Sequence, residues 1–257
     1  SMCECSREEK EVQSDMAPRY HAPFTVSAHD TDANGICRAS CILRYLQEAA
    51  NLQLYHLGPT PKELENPPRA FVLSRLSMDI LEPLKDYDTG SATTWPLPSR
   101  GVCFDRHYEL LCGGRPTARA VTQWALLDVT EKKLLHVDDV KIDYIRNEQM
   151  QVTLPIRFRI PKTVRMELAG KKEVRYEDID KNRHMNNTNY PNLYCDFLPM
   201  EGMRVQHIAI SFAHEAPLGE KLTVFRGYDA EQNVWYFRSV RSDGCVNAEA
   251  AVNLCKL

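Results

Sequence analysis

Near the start of the chain, apolar positions recur at three- and four-residue intervals. Ile42, Leu43, Leu46, Ala49, Ala50 and Leu54 form one stripe, so the spacing predicts a long helix over 40–54, capped by Ser40. Ahead of it, His21, Phe24, Val26 and Ala28 predict a strand over 20–28. Beyond a proline-rich loop at 58–68, four runs have strand character: 71–80, 89–99, 105–111 and 118–128. Gly113-Gly114 turns between the last two, and 128–133 closes the final one. The first half therefore reads as strand, helix and a meander of long strands, an antiparallel sheet wrapped around one long helix.

The second half repeats that order. A strand is predicted at 173–178, where Glu173-Val174-Arg175-Tyr176 alternates polar and apolar. A helix is predicted at 188–198 from Leu193, Tyr194, Phe197 and Leu198, capped by Thr188 or Asn189. Strands follow at 205–214, 221–228, 234–242 and 247–254, with Gly244 turning between the last pair. The correspondence extends to single residues at an offset of 148: Asp30, Asp32 and Asn34 match Asp178, Asp180 and Asn182, and Ile36 falls where His184 stands. Further on, Glu82-Pro83-Leu84 resembles Glu215-Ala216-Pro217-Leu218. A duplicated α+β fold is the economical reading. Its expected parts are an N-terminal domain at 18–148, a linker at 149–170 and a C-terminal domain at 171–257. The linker holds Pro155, Pro161 and Gly170 and little periodicity. With the next few residues it carries Arg157, Arg159, Lys162, Arg165, Lys171, Lys172 and Arg175 against only Glu167 and Glu173, a local basic stripe.

Composition narrows the classes. Of 257 residues, 43% are hydrophobic and 26% charged, ample for a core. A net charge of −3 argues against a general nucleic-acid binder. No stretch approaches the roughly 20 apolar residues of a membrane span, and the charged start of the chain has no apolar signal core. Residues 1–17 read as disordered, and a soluble cytoplasmic protein is expected. The nine cysteines, at 3, 5, 37, 41, 103, 112, 195, 245 and 255, are odd in number and lack paired C-x-x-C spacing. Most lie beside apolar residues, the pattern of buried thiols in a reducing compartment. Neither a metal site nor a cofactor is expected.

Chemistry concentrates in 176–190. Asp180, Asn182 and His184 alternate, a spacing that puts all three on one side of an extended or gently curved backbone. Glu215 ends an apolar strand (Ile208, Ile210, Phe212) and precedes the Pro217-Leu218-Gly219 turn, so the strand end can return to this bend. A carboxylate beside an imidazole and an amide is suited to holding and deprotonating a water, while Asn182 and amides at the following helix start suit an oxyanion. The plainer alternative is that Asp180 and Asn182 only make turn and cap hydrogen bonds and His184 is a polar helix-start residue. The first half weighs on the choice. It keeps Asp32 and Asn34, which serve the bend, and replaces the histidine with Ile36, as a single active site in the second half requires.

From about residue 18 to 257 the chain resembles the acyl-acyl carrier protein (acyl-ACP) thioesterases, bacterial relatives of the plant fatty-acyl thioesterases, with two tandem hotdog domains. The resemblance is carried by Asp180-Lys181-Asn182-Arg183-His184-Met185-Asn186-Asn187-Thr188-Asn189-Tyr190, by Leu46-Gln47-Glu48-Ala49-Ala50 and by His214-Glu215-Ala216. It implies that Asp180, Asn182, His184 and Glu215 are catalytic and that the reaction is hydrolysis of fatty acyl-ACP, on its acyl-4'-phosphopantetheine arm, to free fatty acid. Plant members carry a cysteine after that glutamate; Ala216 stands here, which removes a nucleophile from the position. Cys195 lies on the apolar part of the predicted helix and reads as packing. The resemblance also implies that the first domain shapes the acyl pocket, with Ile42, Tyr45, Leu46, Ala49, Leu73, Leu76 and Met78 as lining candidates against the alternative of ordinary core. The acidic carrier protein calls for a basic docking face, for which Arg157, Arg159, Lys162 and Arg165 are the candidates. An acyl-CoA thioesterase of the same fold, and a non-catalytic acyl-binding hotdog protein, are the alternatives. Tandem hotdogs pair internally, so either a monomer or a homodimer is compatible.

Overall fold

The computed structural model describes residues 19–140 and 154–257. The expected disordered start, Cys3 and Cys5, and the domain boundary at 148/149 lie outside them. The first half runs β1 (Tyr20–Thr25), α1 (Ala39–Leu57), α2 (Pro61–Glu65), β2 (Arg69–Ile80), β3 (Thr89–Pro96), β4 (Phe104–Cys112), β5 (Arg115–Asp128) and β6 (Lys133–Leu134). The second runs β7 (Glu167–Glu173), α3 (Tyr190–Cys195), β8 (Met203–Phe212), β9 (Lys221–Asp229), β10 (Val234–Val240) and β11 (Val246–Lys256).

The strands form one antiparallel sheet in the order β1-β3-β4-β5-β2-β8-β11-β10-β9-β7, with β6 beside β5. Read from its two ends, the order is the same in each half: first strand, then the meander, then the strand that follows the helix. The halves join where β2 pairs with β8, from Arg75 opposite Ser211 to Asp79 opposite His207. His207 Nδ1 lies 2.5 Å from Asp79 Oδ1 on that seam, and Arg204 reaches over it to donate to the Ile80 carbonyl at 2.8 Å. This is the α+β tandem hotdog.

α1 forms because its apolar stripe has a sheet to bury against. Ile42, Leu43, Leu46 and Ala49 are essentially inaccessible in the main core, each large side chain contributing roughly 1.5–3 kcal/mol of burial. Its N-cap is Arg38, without a side-chain cap bond; Ser40 sits buried inside the first turn and does not cap. Gly58, at φ +83°, closes the helix by donating its amide to Leu54.

Two second-half elements differ from their sequence patterns. The first strand is Glu167–Glu173, which begins inside the segment read as linker and runs past its end at 170, and Tyr176–Asp178 is a 3-10 turn where a strand was expected. β7 is an edge strand that owes its place to pairing with β9 rather than to an apolar face of its own. Gly170 is no break in it: a Cβ there would lie 2.6 Å from the Phe197 ring, so the glycine admits that ring against the strand. The second helix stops at Cys195 instead of 198, and 196–198 continue as tight turns, since the residue before Pro199 is disfavoured in helix.

Candidate active site

The bend at 180–184 is not extended. The Asp180 amide donates to the His184 carbonyl (3.1 Å) and the Arg183 amide to the Asp180 carbonyl (2.9 Å), while Ile179 and Met185 bridge below. Arg183 takes the left-handed conformation at φ +64° that lets the chain reverse. The Asp180 carboxylate turns inward, its Oδ1 accepting the Asn182 amide at 2.8 Å. Asp180 and His184 therefore face each other across a tight loop with Asn182 exposed at its tip, not in a row along one face. The loop wins over the extended form because the aspartate satisfies its amides locally.

After the bend, the Met185 amide donates to the Ala216 carbonyl at 2.8 Å and His184 bridges Pro217. That contact brings the end of β8 to the loop and sets His184 Nδ1 3.1 Å from Glu215 Oε2. The histidine side chain is 33% exposed and the glutamate 56%, so both are open to water. Arg241 donates to the Glu215 carbonyl at 3.0 Å and pairs with Asp243 and Glu220.

Asn186, rather than Thr188 or Asn189, caps the turn before α3: its Oδ1 accepts both the amide (2.9 Å) and the hydroxyl (2.8 Å) of Thr188. The amides of Thr188, Asn189 and Tyr190 are thus engaged within that turn. From α1 of the other half, Arg44 donates through Nε to Thr188 Oγ1 (3.1 Å) and through Nη2 to Asn189 Oδ1 (2.8 Å). No local period in the sequence marks Arg44, because its partners lie 144 and 145 residues away.

The first-half bend is built bond for bond alike. The Asp32 amide donates to Ile36 (2.8 Å), the Gly35 amide to Asp32 (2.9 Å), and Asp32 Oδ1 accepts the Asn34 amide (2.9 Å). Gly35, at φ +73°, holds the position of Arg183. Here the Cys37 amide donates to Leu84, as Met185 does to Ala216. Leu84 is thus the counterpart of Ala216, and Pro83, not Glu82, stands where Glu215 stands; Glu82 instead pairs with Arg115 at 3.2 Å. A cavity of about 830 Å³ opens at this first bend, lined by Asp32, Asn34, Ile36, Pro83, Cys195 and Met200 among others. Its Ile36 and Pro83, at the positions of His184 and Glu215, can neither give nor take a proton, while Asp32, Asp196 and Glu201 also line it.

Of the other candidates, Ile42, Leu46, Ala49, Leu73, Leu76 and Met78 are packed in the main core, with half-buried Tyr45 against it, its hydroxyl donating to Asp30 at 2.6 Å. Arg157, Arg159, Lys162 and Arg165 are all exposed. They sit on a segment that lies against Gly227 of β9, where a Cβ would meet Val164, Arg165 and Met166 within 2.9 Å. Cys195 is half-buried at the end of α3, and burial, with Asp196 and Asp32 adding to it, pushes its thiol up to about 12. Among the described residues no group of three or more His, Cys, Asp or Glu side chains is placed to hold a metal ion, and no helix is long and apolar enough to cross a membrane.

Fold and bend together define a tandem hotdog protein with one histidine–glutamate pair among the described residues. Residues 162–254 match the family model of the acyl-ACP thioesterase C-terminal domain. An acyl-ACP thioesterase from Bacteroides thetaiotaomicron is similar in structure (TM-score 0.82, 21% identity, covering 92% of this chain and 98% of that one). So is the 12:0-ACP thioesterase from Umbellularia californica (TM-score 0.74, 13% identity, 93% and 98% covered). No curated protein sequence matches the chain.

Proposed function

We propose that the chain hydrolyses the thioester of fatty acyl-ACP to free fatty acid and carrier-protein thiol, with Asp180, Asn182, His184 and Glu215 as the working residues. The family match supports acyl-ACP thioester hydrolysis in general; the residue assignment is carried by the 3.1 Å approach of His184 Nδ1 to Glu215 Oε2. Glu215 takes a proton from a water, the oxygen of which attacks the thioester carbonyl. Asn182 donates to the oxyanion of the tetrahedral intermediate. As the C–S bond breaks, the proton passes through His184 to the departing pantetheine thiolate. Asp180 acts through the bend, by holding the Asn182 peptide. No covalent acyl-enzyme is required, in keeping with Ala216 beside Glu215. The acyl chain is assigned to the first half, where it would part Ile42, Tyr45, Leu46, Ala49, Leu73, Leu76 and Met78 from their core packing. Carrier-protein docking is assigned to Arg157, Arg159, Lys162 and Arg165.

The test is a hydrolysis panel of saturated acyl-ACPs from octanoyl to stearoyl, with the matching CoA esters. Glu215→Ala and His184→Ala should each lower kcat/KM on the best acyl-ACP by about 10²–10⁴-fold with circular dichroism unchanged. Wild-type turnover in both would sink the assignment. Equal kcat/KM on the CoA esters would turn the reading to an acyl-CoA thioesterase.

A further inference from the structure

Under the Glu215 loop lies a buried polar network. Asn247 is fully buried on β11. Its Nδ2 donates to the His214 carbonyl at 2.6 Å and to the Tyr190 hydroxyl at 2.9 Å. Its Oδ1 accepts from Ser239 Oγ at 2.9 Å, and Tyr194 Oη lies 3.2 Å from the same Oγ. The Asn247 backbone carbonyl in turn accepts the amides of Ala213 (2.9 Å) and His214 (3.1 Å). Asn247 thus grips both residues that precede Glu215, from side chain and main chain together. Tyr190, Tyr194 and Ser239 are each buried to within a few per cent.

Burying four polar side chains is costly unless each is satisfied, and the duplicated half shows that the fold itself does not need them. There the carbonyl of Thr117 accepts the amides of Leu81 (2.8 Å) and Glu82 (3.3 Å), which makes Thr117 the counterpart of Asn247. Its side chain turns away, donating to the Leu110 carbonyl at 3.1 Å. Leu110 opposes Ala118 as Ser239 opposes Ala248, so leucine replaces the serine. At the 148-residue offset, Ile42 and Leu46 replace Tyr190 and Tyr194. The main-chain grip is common to both halves. The side-chain grip accompanies the carboxylate and is missing where Pro83 takes its place.

We propose that Asn247, braced by Ser239, Tyr190 and Tyr194, is a positioning residue for Glu215, fixing the His214 carbonyl so that the next side chain stays within reach of His184. The inference rests on the reading of Glu215 as the water-activating base.

Its test is Asn247→Thr, which installs the first-half residue, assayed on the best acyl-ACP of the panel in wild-type and Glu215→Gln backgrounds. Thr117→Ala serves as the control. In the wild-type background kcat should fall about tenfold or more with KM within about twofold, the signature of a misplaced group rather than lost binding. In the Glu215→Gln background the same substitution should change residual turnover by less than about twofold, because the group it positions is gone. Thr117→Ala should lower Tm without lowering kcat. Where Glu215→Gln leaves no measurable turnover, the contrast between Asn247→Thr and Thr117→Ala decides. If Asn247→Thr does not fold, Ser239→Ala takes its place, with about a threefold loss of kcat expected. Wild-type kcat in the substituted protein, equal fold-losses in both backgrounds, or an equal loss from Thr117→Ala overturns the inference while leaving the role of Glu215 standing. A fully active Glu215→Gln overturns that role first.

Discussion

Asp180 and Asp32 do the same work, each accepting the amide two residues on and closing a tight bend. The aspartate is therefore accounted for by the turn, and the residues that distinguish the two bends are His184 against Ile36 and Glu215 against Pro83. The first contrast is legible in the sequence at the 148-residue offset. The second is not, because the strand ends correspond at a different spacing from the bends, and the like-looking Glu82 draws the eye one residue too early. The side-chain partners of Asn247 are equally silent, since a single asparagine in an alternating strand shows no period. Cys195 has no part in the proposed chemistry: with its thiol pushed up to about 12 by burial, almost none is thiolate at neutral pH. Cys195→Ala should keep kcat on acyl-ACP within about twofold of wild type. A tenfold loss in a folded variant would restore the thiol to the mechanism.

At the level of elements, strands with a buried partner on each side announced themselves. β2, β4, β5 and β8 to β11 fall within a few residues of their patterns, because burial imposes the alternation the sequence carries. β7 and α3 did not. One is held by its neighbour's hydrogen bonds, and the other is a six-residue helix kept in place by tertiary contacts rather than by its own length. Asn34 shows how the same residue type can be diverted. Its amide follows the bend as Asn182 does, but its side chain donates to the carbonyls of Met200 (2.6 Å) and Met203 (3.0 Å) and accepts the Gly202 amide (3.2 Å). Asn34 thereby ties the first bend to the turn before β8. Asn34→Ala should cost about 2 kcal/mol in urea unfolding, two part-buried hydrogen bonds and one exposed one being lost together. A loss under about 0.5 kcal/mol would show that this tie carries no weight.

For the whole molecule, the net charge of −3 hides a division of sign. The exposed Arg157, Arg159, Lys162 and Arg165 follow one another along a segment whose residues 164–166 lie against Gly227 of β9, with Glu167 paired to Arg165 at 3.1 Å. Steering of an acidic carrier depends on such local fields rather than on net charge. Reversing Arg157, Arg159 and Lys162 to Glu should raise KM for acyl-ACP about tenfold or more at low salt and leave the KM of the matching CoA ester within about twofold. An equal rise for both substrates would remove the docking role from this face.

The seam between β2 and β8 has one more consequence. Two separate subunits joined along it would part on dilution, as any bimolecular pairing does. Here both strands belong to one chain, so each half meets the other at a fixed effective concentration. Arg44 on α1 holds Thr188 and Asn189 across that divide, and the turn next to His184 thus draws its support from the same polypeptide. Dilution, which empties an intersubunit contact, leaves this one closed.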